Sequence, residues 1–350
     1  MKTRLYFIVP GPLSTRTGGY IYDRRMIEGL RALGQKIDVV ELSGAYPFPF
    51  AADIARANAA FAAIPNNSLV VIDGLALGAL PDIAERHAHR LDLVALVHHP
   101  LADETGLSND HRDALMRSET RALTHAPHVI VTSAFTRRRL AACNVPPERI
   151  SVCVPGVDAA ALARGSGSDT LVLLCPASLT PRKGHADLFA ALADLLHLNW
   201  RLICAGNPTL DPAHAVSLTR MIARLGLETR IEMRGEASET EMHALYAGAD
   251  LFVLASHYEG YGMVVTEAVA RGLPIVTTSG GALVDTVPRA AALIVPPGDV
   301  AGLREVLRLV ISDSALRVKL AEGSREARAH LADWNRAAET FARALKGARP

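Results

Sequence analysis

At 350 residues the chain is long for one domain and suits two of about 150–180 residues each. Apolar residues make up 49% and charged residues 21%, the balance of a globular protein with sizeable cores. With 37 basic against 36 acidic side chains and a net charge of +1, no overall field argues for nucleic acid or an anionic membrane as partner.

Short apolar runs alternate with helical ones almost throughout, the mark of a parallel sheet wound on both faces. In the first half, strands are predicted near 3–9, 36–42, 68–73, 92–98, 128–132 and 150–154, and helices near 19–33, 52–62, 75–89, 108–125 and 134–142. The opening apolar run is too short for a secretory signal and lacks a small-residue cleavage site, so it reads as the first strand. Ala45 to Phe50 is a proline-broken aromatic loop. Periodicity fails after Pro155-Gly156-Val157-Asp158, where Gly and Ser residues mark a linker over 159–168. It then restarts, with strands near 171–175, 200–205, 230–234, 250–254, 274–278 and 292–295. Helices are predicted at 185–196, 212–225 and 239–247, after Gly262, and at 300–312, 314–331 and 333–346. The domains are thus 1–158 and 169–330, with 331–350 as a closing segment. No stretch approaches the roughly 18 apolar residues that a membrane span needs. The four cysteines, 143, 153, 175 and 204, show no C-x-x-C pairing and read as reduced, buried thiols of a cytoplasmic protein. No His or Cys spacing forms a metal motif.

Most of the chemistry lies between Asp250 and Ser279. An apolar strand runs into a loop, His257-Tyr258-Glu259-Gly260-Tyr261-Gly262-Met263-Val264, and a helix follows with Glu267 on its first turns. Ligands of open α/β sheets bind beyond strand carboxyl ends, and the free N–H groups of a helix start favour anions. Gly260 and Gly262 let backbone approach a ligand closely. Two carboxylates at such a mouth suit a ligand with both hydroxyls and phosphates, and a sugar nucleotide fits. The plainer reading is an ordinary strand-to-helix turn with a dipole-stabilised glutamate.

Three further segments end predicted strands. Thr180-Pro181-Arg182-Lys183-Gly184-His185 puts two cations beside a helix start, suited to a diphosphate or merely to solvent. Gly11 to Tyr20 contains Gly18-Gly19 but no Gly-x-Gly-x-x-Gly, which speaks against a nicotinamide dinucleotide fold despite Glu41. His98-His99-Pro100 places a histidine at a strand end, as a proton or hydrogen-bond partner or as a packing residue. His98, nearer the strand, is the better candidate.

Glu259 and Glu267 stand seven residues apart, and with His257 to Met263, Gly272-Leu273-Pro274 and Gly280-Gly281 they resemble the E-x7-E signature of retaining family 4 glycosyltransferases. The resemblance extends along nearly the whole chain. It implies an α/β fold of the GT-B kind, two doubly wound Rossmann-like domains facing a central cleft, with the last helix returning to the N-terminal domain near Trp334. It implies transfer of a sugar from a nucleoside diphosphate sugar, with no cofactor and no metal, to an acceptor that the sequence does not name. By the same resemblance Lys183 and Arg182 bind the diphosphate with the amides of Gly262, Met263 and Val264. Gly18 and Gly19 approach the donor, Asn207 opens the base pocket, and Glu267 takes the ribose. Glu259, with Gly260 and Tyr261, and His98 lie by the transferred sugar. The family's arginine five positions before the lysine is Ser178 here, with Arg182 as the replacement cation. That departure leaves open a nucleotide-sugar binding protein without transferase activity, or an epimerase-like relative. Arg137-Arg138-Arg139 would serve a weak peripheral contact with the inner membrane face, or simply form a solvated helix face.

Overall fold

The computed structural model describes residues 4–347. Apolar runs such as Leu5-Tyr-Phe-Ile-Val9 form strands because a parallel sheet covered by helices buries both of their faces. The first half runs β1 (Leu5–Val9), α1 (Gly18–Ala32), β2 (Ile37–Glu41), α2 (Ala51–Ala62), β3 (Ser68–Asp73), α3 (Gly74–Leu77), α4 (Pro81–His87), β4 (Leu91–Val97), α5 (Asn109–Thr124), β5 (His128–Val131), α6 (Ala134–Arg139) and β6 (Ile150–Val152). The strands are parallel in the order β2-β1-β3-β4-β5-β6. Residue 3, where the first strand was expected to start, lies outside the described residues.

The helix expected over 75–89 is instead two, α3 and α4. Pro81 has no N–H to give a continuous helix, and it opens α4 in the first turn, where none is needed. The helix expected to 142 ends at Arg139 and tightens into a 3-10 turn, Leu140–Cys143.

The second half runs β7 (Leu171–Pro176), α7 (His185–Ala193), β8 (Trp200–Ala205), α8 (Pro212–Arg224), β9 (Ile231–Gly235), α9 (Glu239–Ala247), β10 (Leu251–Leu254), α10 (Met263–Ala270), β11 (Ile275–Thr278), α11 (Leu283–Thr286), β12 (Ala292–Val295), α12 (Val300–Ser312) and α13 (Ser314–Arg328). Its sheet is also parallel, in the order β12-β11-β10-β7-β8-β9. The chain divides into two compact units, one ending at Gly156 and resuming at Ala332, the other Val157–Leu331.

The last helix, α14 (Trp334–Gly347), belongs to the first unit. Ala337, Ala338, Phe341, Ala344 and Leu345 recur at helical spacing and are buried together. Phe341 packs at 6.5 Å from Phe7 and 6.4 Å from Tyr22, ring centre to ring centre. Burying such a ring is worth about 1.5–3 kcal/mol. A Cβ on Gly29 of α1 would lie 2.4 Å from the Cβ of Ala338, so the helices meet where α1 has no side chain. Trp334 itself is half-buried, with Tyr22 at 6.3 Å and the Arg25 guanidinium over its ring at 5.5 Å.

Each sheet has one place where chain order reverses. In the first, β1 leads to β2 on one side while β3 and its successors lie on the other. In the second, β7 and β10 are neighbours, with β8 and β9 beyond one and β11 and β12 beyond the other. Loops leaving the strands of a switch point diverge, which opens a crevice for a ligand.

Candidate functional site

In the second unit the Lys183 turn leaves β7 and the Glu259 loop leaves β10, so the switch point brings together segments 76 residues apart. The turn is a 3-10 helix, Pro181–Lys183, closed by Gly184 at φ +67°. A Cβ there would stand 1.9 Å from the carbonyl oxygen of Ala255, so only glycine lets the two segments touch. Backbone and side chains then join them. The His257 N–H donates to the Arg182 carbonyl at 2.8 Å, and Arg182 Nη1 donates to the Tyr258 carbonyl at 2.7 Å. Lys183 Nζ donates to Glu259 Oε1 at 2.6 Å, and Ser256 Oγ donates to the same oxygen at 2.6 Å. Arg182 Nη1 stands 3.5 Å from Oε2.

Glu259 is 6% exposed. Burial pushes its carboxyl up, but the charges of Lys183 and Arg182, with the bonds from Lys183 and Ser256, more than offset this and hold it below the ordinary value. The carboxylate is therefore ionised and fixed. From the other side the Ala282 N–H donates to the Glu259 carbonyl at 2.8 Å. Gly281, at φ +62°, makes room, since a Cβ there would lie 2.3 Å from that carbonyl oxygen.

After Glu259, Gly260 and Tyr261 are half-buried, and burial pushes the Tyr261 phenol up to about 12. Gly262 is the N-cap of α10, and no side chain caps this helix start. The amides of Gly262, Met263 and Val264 thus lie where a helix has no acceptors of its own. Glu267 Oε2 accepts from the Tyr246 hydroxyl at 2.8 Å, and Arg271 stacks over that phenol ring at 4.4 Å. Asn207, beyond β8, is bonded elsewhere: its Nδ2 donates to Glu236 Oε2 at 3.0 Å and its Oδ1 accepts from Thr209 at 2.7 Å. Ser256 and Tyr246, which fix the two glutamates, were not singled out from sequence. Neither lies in a motif, although Ser256 is three residues from Glu259.

The first unit holds its own polar group. Gly18 and Gly19 open α1, and a Cβ on Gly19 would lie 3.3 Å from His98 Cδ2, whereas one on Gly18 would meet nothing within 4 Å. His98 follows β4, and its Nε2 lies 3.1 Å from Asp23 Oδ1 and 3.3 Å from Asp73 Oδ2. Asp73 closes β3, and Asp23 lies one turn beyond Gly19 on the buried face of α1. The Tyr22 ring meets the imidazole edge-on at 5.4 Å. Burial and the neighbouring Asp73 push the Asp23 carboxyl up to about 7, against the pull of His98. Burial alone would lower His98, but the two carboxylates raise it to about 10. His99 is apart from this group, with Nε2 at 3.5 Å from Glu104. Asp23 and Asp73 escaped the sequence reading. Their signals were an aspartate four residues after Gly19 and another ending an apolar strand.

Cysteine spacing likewise hid a juxtaposition. Cys175 and Cys204 pair across β7 and β8, and His185 Nε2 stands 3.8 Å from Cys175 Sγ. All four cysteines are free and buried. Among the described residues no helix is long and apolar enough to cross a membrane.

Comparison with known proteins agrees with this organisation. Residues 162–327 match the family model for glycosyl transferases group 1, and residues 70–161 match that for Glycosyltransferase Family 4. The D-inositol 3-phosphate glycosyltransferase of Corynebacterium efficiens is 28% identical over 201 residues, 52% of this chain and 47% of the relative. The MMP alpha-(1->4)-mannosyltransferase of Mycolicibacterium hassiacum is 30% identical over 270 residues, 71% of this chain and 64% of the relative. The matched region thus spans about half to two-thirds of these relatives. Among solved structures, sucrose-phosphate synthase from Thermosynechococcus elongatus superposes with a TM-score of 0.84 at 19% identity, covering 99% of this chain and 98% of that one. The Anabaena HepE protein in complex with UDP-glucose superposes with a TM-score of 0.80 at 18% identity, covering 99% and 100%. The fold is the two-domain α/β GT-B fold.

Proposed function

We propose that this chain, which belongs to the family 4 glycosyltransferases, transfers a sugar from a nucleoside diphosphate sugar to an acceptor. We read the transfer as retaining, with side-chain cations in the role that a metal plays elsewhere. The observation that carries this reading is the Lys183–Glu259 contact of 2.6 Å at the β7/β10 switch point, beside the uncapped start of α10. A departing diphosphate gains negative charge. Lys183, Arg182 and the amides of Gly262, Met263 and Val264 are the groups in this unit suited to receive it, already oriented and partly withdrawn from solvent. Arg182 supplies the second cation where Ser178 replaces the family's arginine. Glu267, held by Tyr246, suits the ribose hydroxyls, and Glu259 the transferred sugar.

The HepE complex supports a UDP-sugar as donor, and the relatives' names support a hexosyl group. The first unit is read as the acceptor side, with Gly18 and Gly19 kept as donor-approaching residues and His98 as a partner of the transferred sugar. A lipid role for Arg137–Arg139 has less support, since Arg139 pairs with Asp103 at 2.6 Å and Arg137 donates to the Pro147 carbonyl at 3.1 Å.

A thermal-shift screen over UDP, GDP and ADP and their sugars tests the donor half. A ligand at 100 times its Kd adds about 2.7 kcal/mol of stability, and Lys183→Ala should abolish most of that gain. Labelled donor, with the anomeric configuration of the product read by NMR, tests the transfer. Binding without release of the nucleoside diphosphate would favour the silent binding protein that Ser178 leaves open. Conversion of the nucleotide sugar itself would favour epimerase-like chemistry.

A further inference from the structure

Asp23 is a buried acid whose placement is costly. It is fully buried on α1, and its Oδ2 has no hydrogen-bond partner. An unsatisfied buried polar atom is destabilising, and an apolar residue on this helix face would avoid that. Its other oxygen faces the same imidazole nitrogen that Asp73 faces, at 3.1 Å and 3.3 Å. Two ionised carboxylates around a neutral ring would leave two uncompensated negative charges in a buried site. An imidazolium removes one of them, and a proton retained on the carboxyl pair removes the other.

We propose that Asp23 is a positioning residue that, with Asp73, holds the His98 ring by Nε2 as an imidazolium, so that His98 offers Nδ1–H to an oxygen of the sugar substrate and does not act as a base. This rests on the glycosyl-transfer reading only for the identity of the ligand. The ring is located by more than the two acids. Gly19 backs it, Tyr22 meets its edge, and the hydroxyls of Thr132 and Thr136 donate to the His98 carbonyl at 3.3 Å each. The ionisable groups around the cluster are Asp23 on α1, Asp73 at the end of β3, Tyr20 at the start of α1, Glu41 at the end of β2, and Tyr22, whose hydroxyl donates to the Cys153 carbonyl at 2.8 Å. Tyr20 donates to the Pro10 carbonyl, and its phenol is pushed up to about 12, so it stays neutral wherever His98 is in question. The His98 side chain is 19% exposed, which leaves an edge for a ligand.

The test uses the full chain with ¹⁵N-labelled histidine, the His98 ring signals being assigned by their loss in His98→Gln. Both ring nitrogens of His98 should remain protonated to at least pH 8.5, and Asp23→Asn should bring deprotonation down by ten-fold or more in proton affinity. Loss of the Nδ1 proton near pH 6.5 in the wild type, or identical titration in Asp23→Asn, overturns the proposal. Where Asp23→Asn does not fold, Asp73→Asn carries the same comparison from the strand side. UDP-glucose and UDP affinities are measured in parallel. If Asp23→Asn weakens UDP-glucose several-fold while UDP binding is unchanged, the ligand assignment stands with the protonation state. If neither ligand binds the wild type while His98 stays protonated, the glycosyl-transfer reading fails and the positioning role survives.

Discussion

The two switch points solve one problem in opposite ways. Each buries carboxylates at the carboxyl ends of parallel strands, and burial alone would raise their pKa values. In the second unit Lys183 and Arg182 flank a single acid, Glu259, which is held ionised. In the first, two acids share one histidine, and the surplus negative charge is relieved by retained protons. Burial pushes both acids up, and the cations beside each decide whether that sign survives: two beside Glu259 reverse it, and one shared histidine does not. A site of the first kind presents fixed charge; a site of the second presents a donor whose proton is hard to remove.

The pH dependence of stability therefore runs in opposite directions. Glu259 sits below its unfolded value of about 4.3, so its contribution is present above that pH and is lost as pH falls through the folded value. His98 sits at about 10, so its contribution is complete below the unfolded value of about 6.5 and is lost as pH rises toward 10. Asp23, at about 7, adds a cost that is absent below its unfolded value of about 3.9 and grows as pH rises to 7.

The sharpest break in this contrast is Lys183→Met. It leaves Glu259 buried with Arg182 at 3.5 Å as the cation beside it, and unfolding at pH 7 should cost about 3–5 kcal/mol less than in the wild type. Donor turnover should fall about 10²- to 10³-fold, as when one donor to a developing anion is removed. Urea melts and labelled-donor assays read the two effects, and a fully stable variant would refute the ion-pair assignment. Next comes Gly184→Ala, which drives a Cβ into the Ala255 carbonyl and forces a left-handed φ on alanine. A loss of about 2–3 kcal/mol is expected, with weaker UDP binding by calorimetry, because the Lys183 turn must move.

A pair of substitutions then separates the limbs of the pH profile. Urea midpoints between about pH 2.5 and 9.5 should lose part of their acid slope in Glu259→Gln and part of their alkaline slope in His98→Gln. Matching slopes in both variants would show that the two sites do not differ as described. The smallest effect should come from Arg182→Lys, which keeps the charge and gives up the bond to the Tyr258 carbonyl. A cost of about 1 kcal/mol is expected by urea denaturation, with turnover reduced less than in Lys183→Met.

Much of this molecule was legible along the chain, because strands, helix starts and glycine turns are local patterns. The run from Leu251 to Leu254, the loop with Glu259 and the helix with Glu267 stand where periodicity placed them. So does Lys183-Gly184, immediately before α7. The break at Pro81 was also local, and was missed by following apolar periodicity through a proline. Partnership is another matter. His98 and Asp23 are 75 residues apart, and Lys183 and Glu259 are 76 apart. Strand order, not spacing, makes them neighbours. The residues by themselves determined two parallel α/β sheets and which loops leave the carboxyl ends of their strands. Only the tertiary structure decided that Glu259 is an ionised, doubly flanked carboxylate and that His98 stands between two acids, because a charge state depends on burial and on neighbours that the chain supplies from far away.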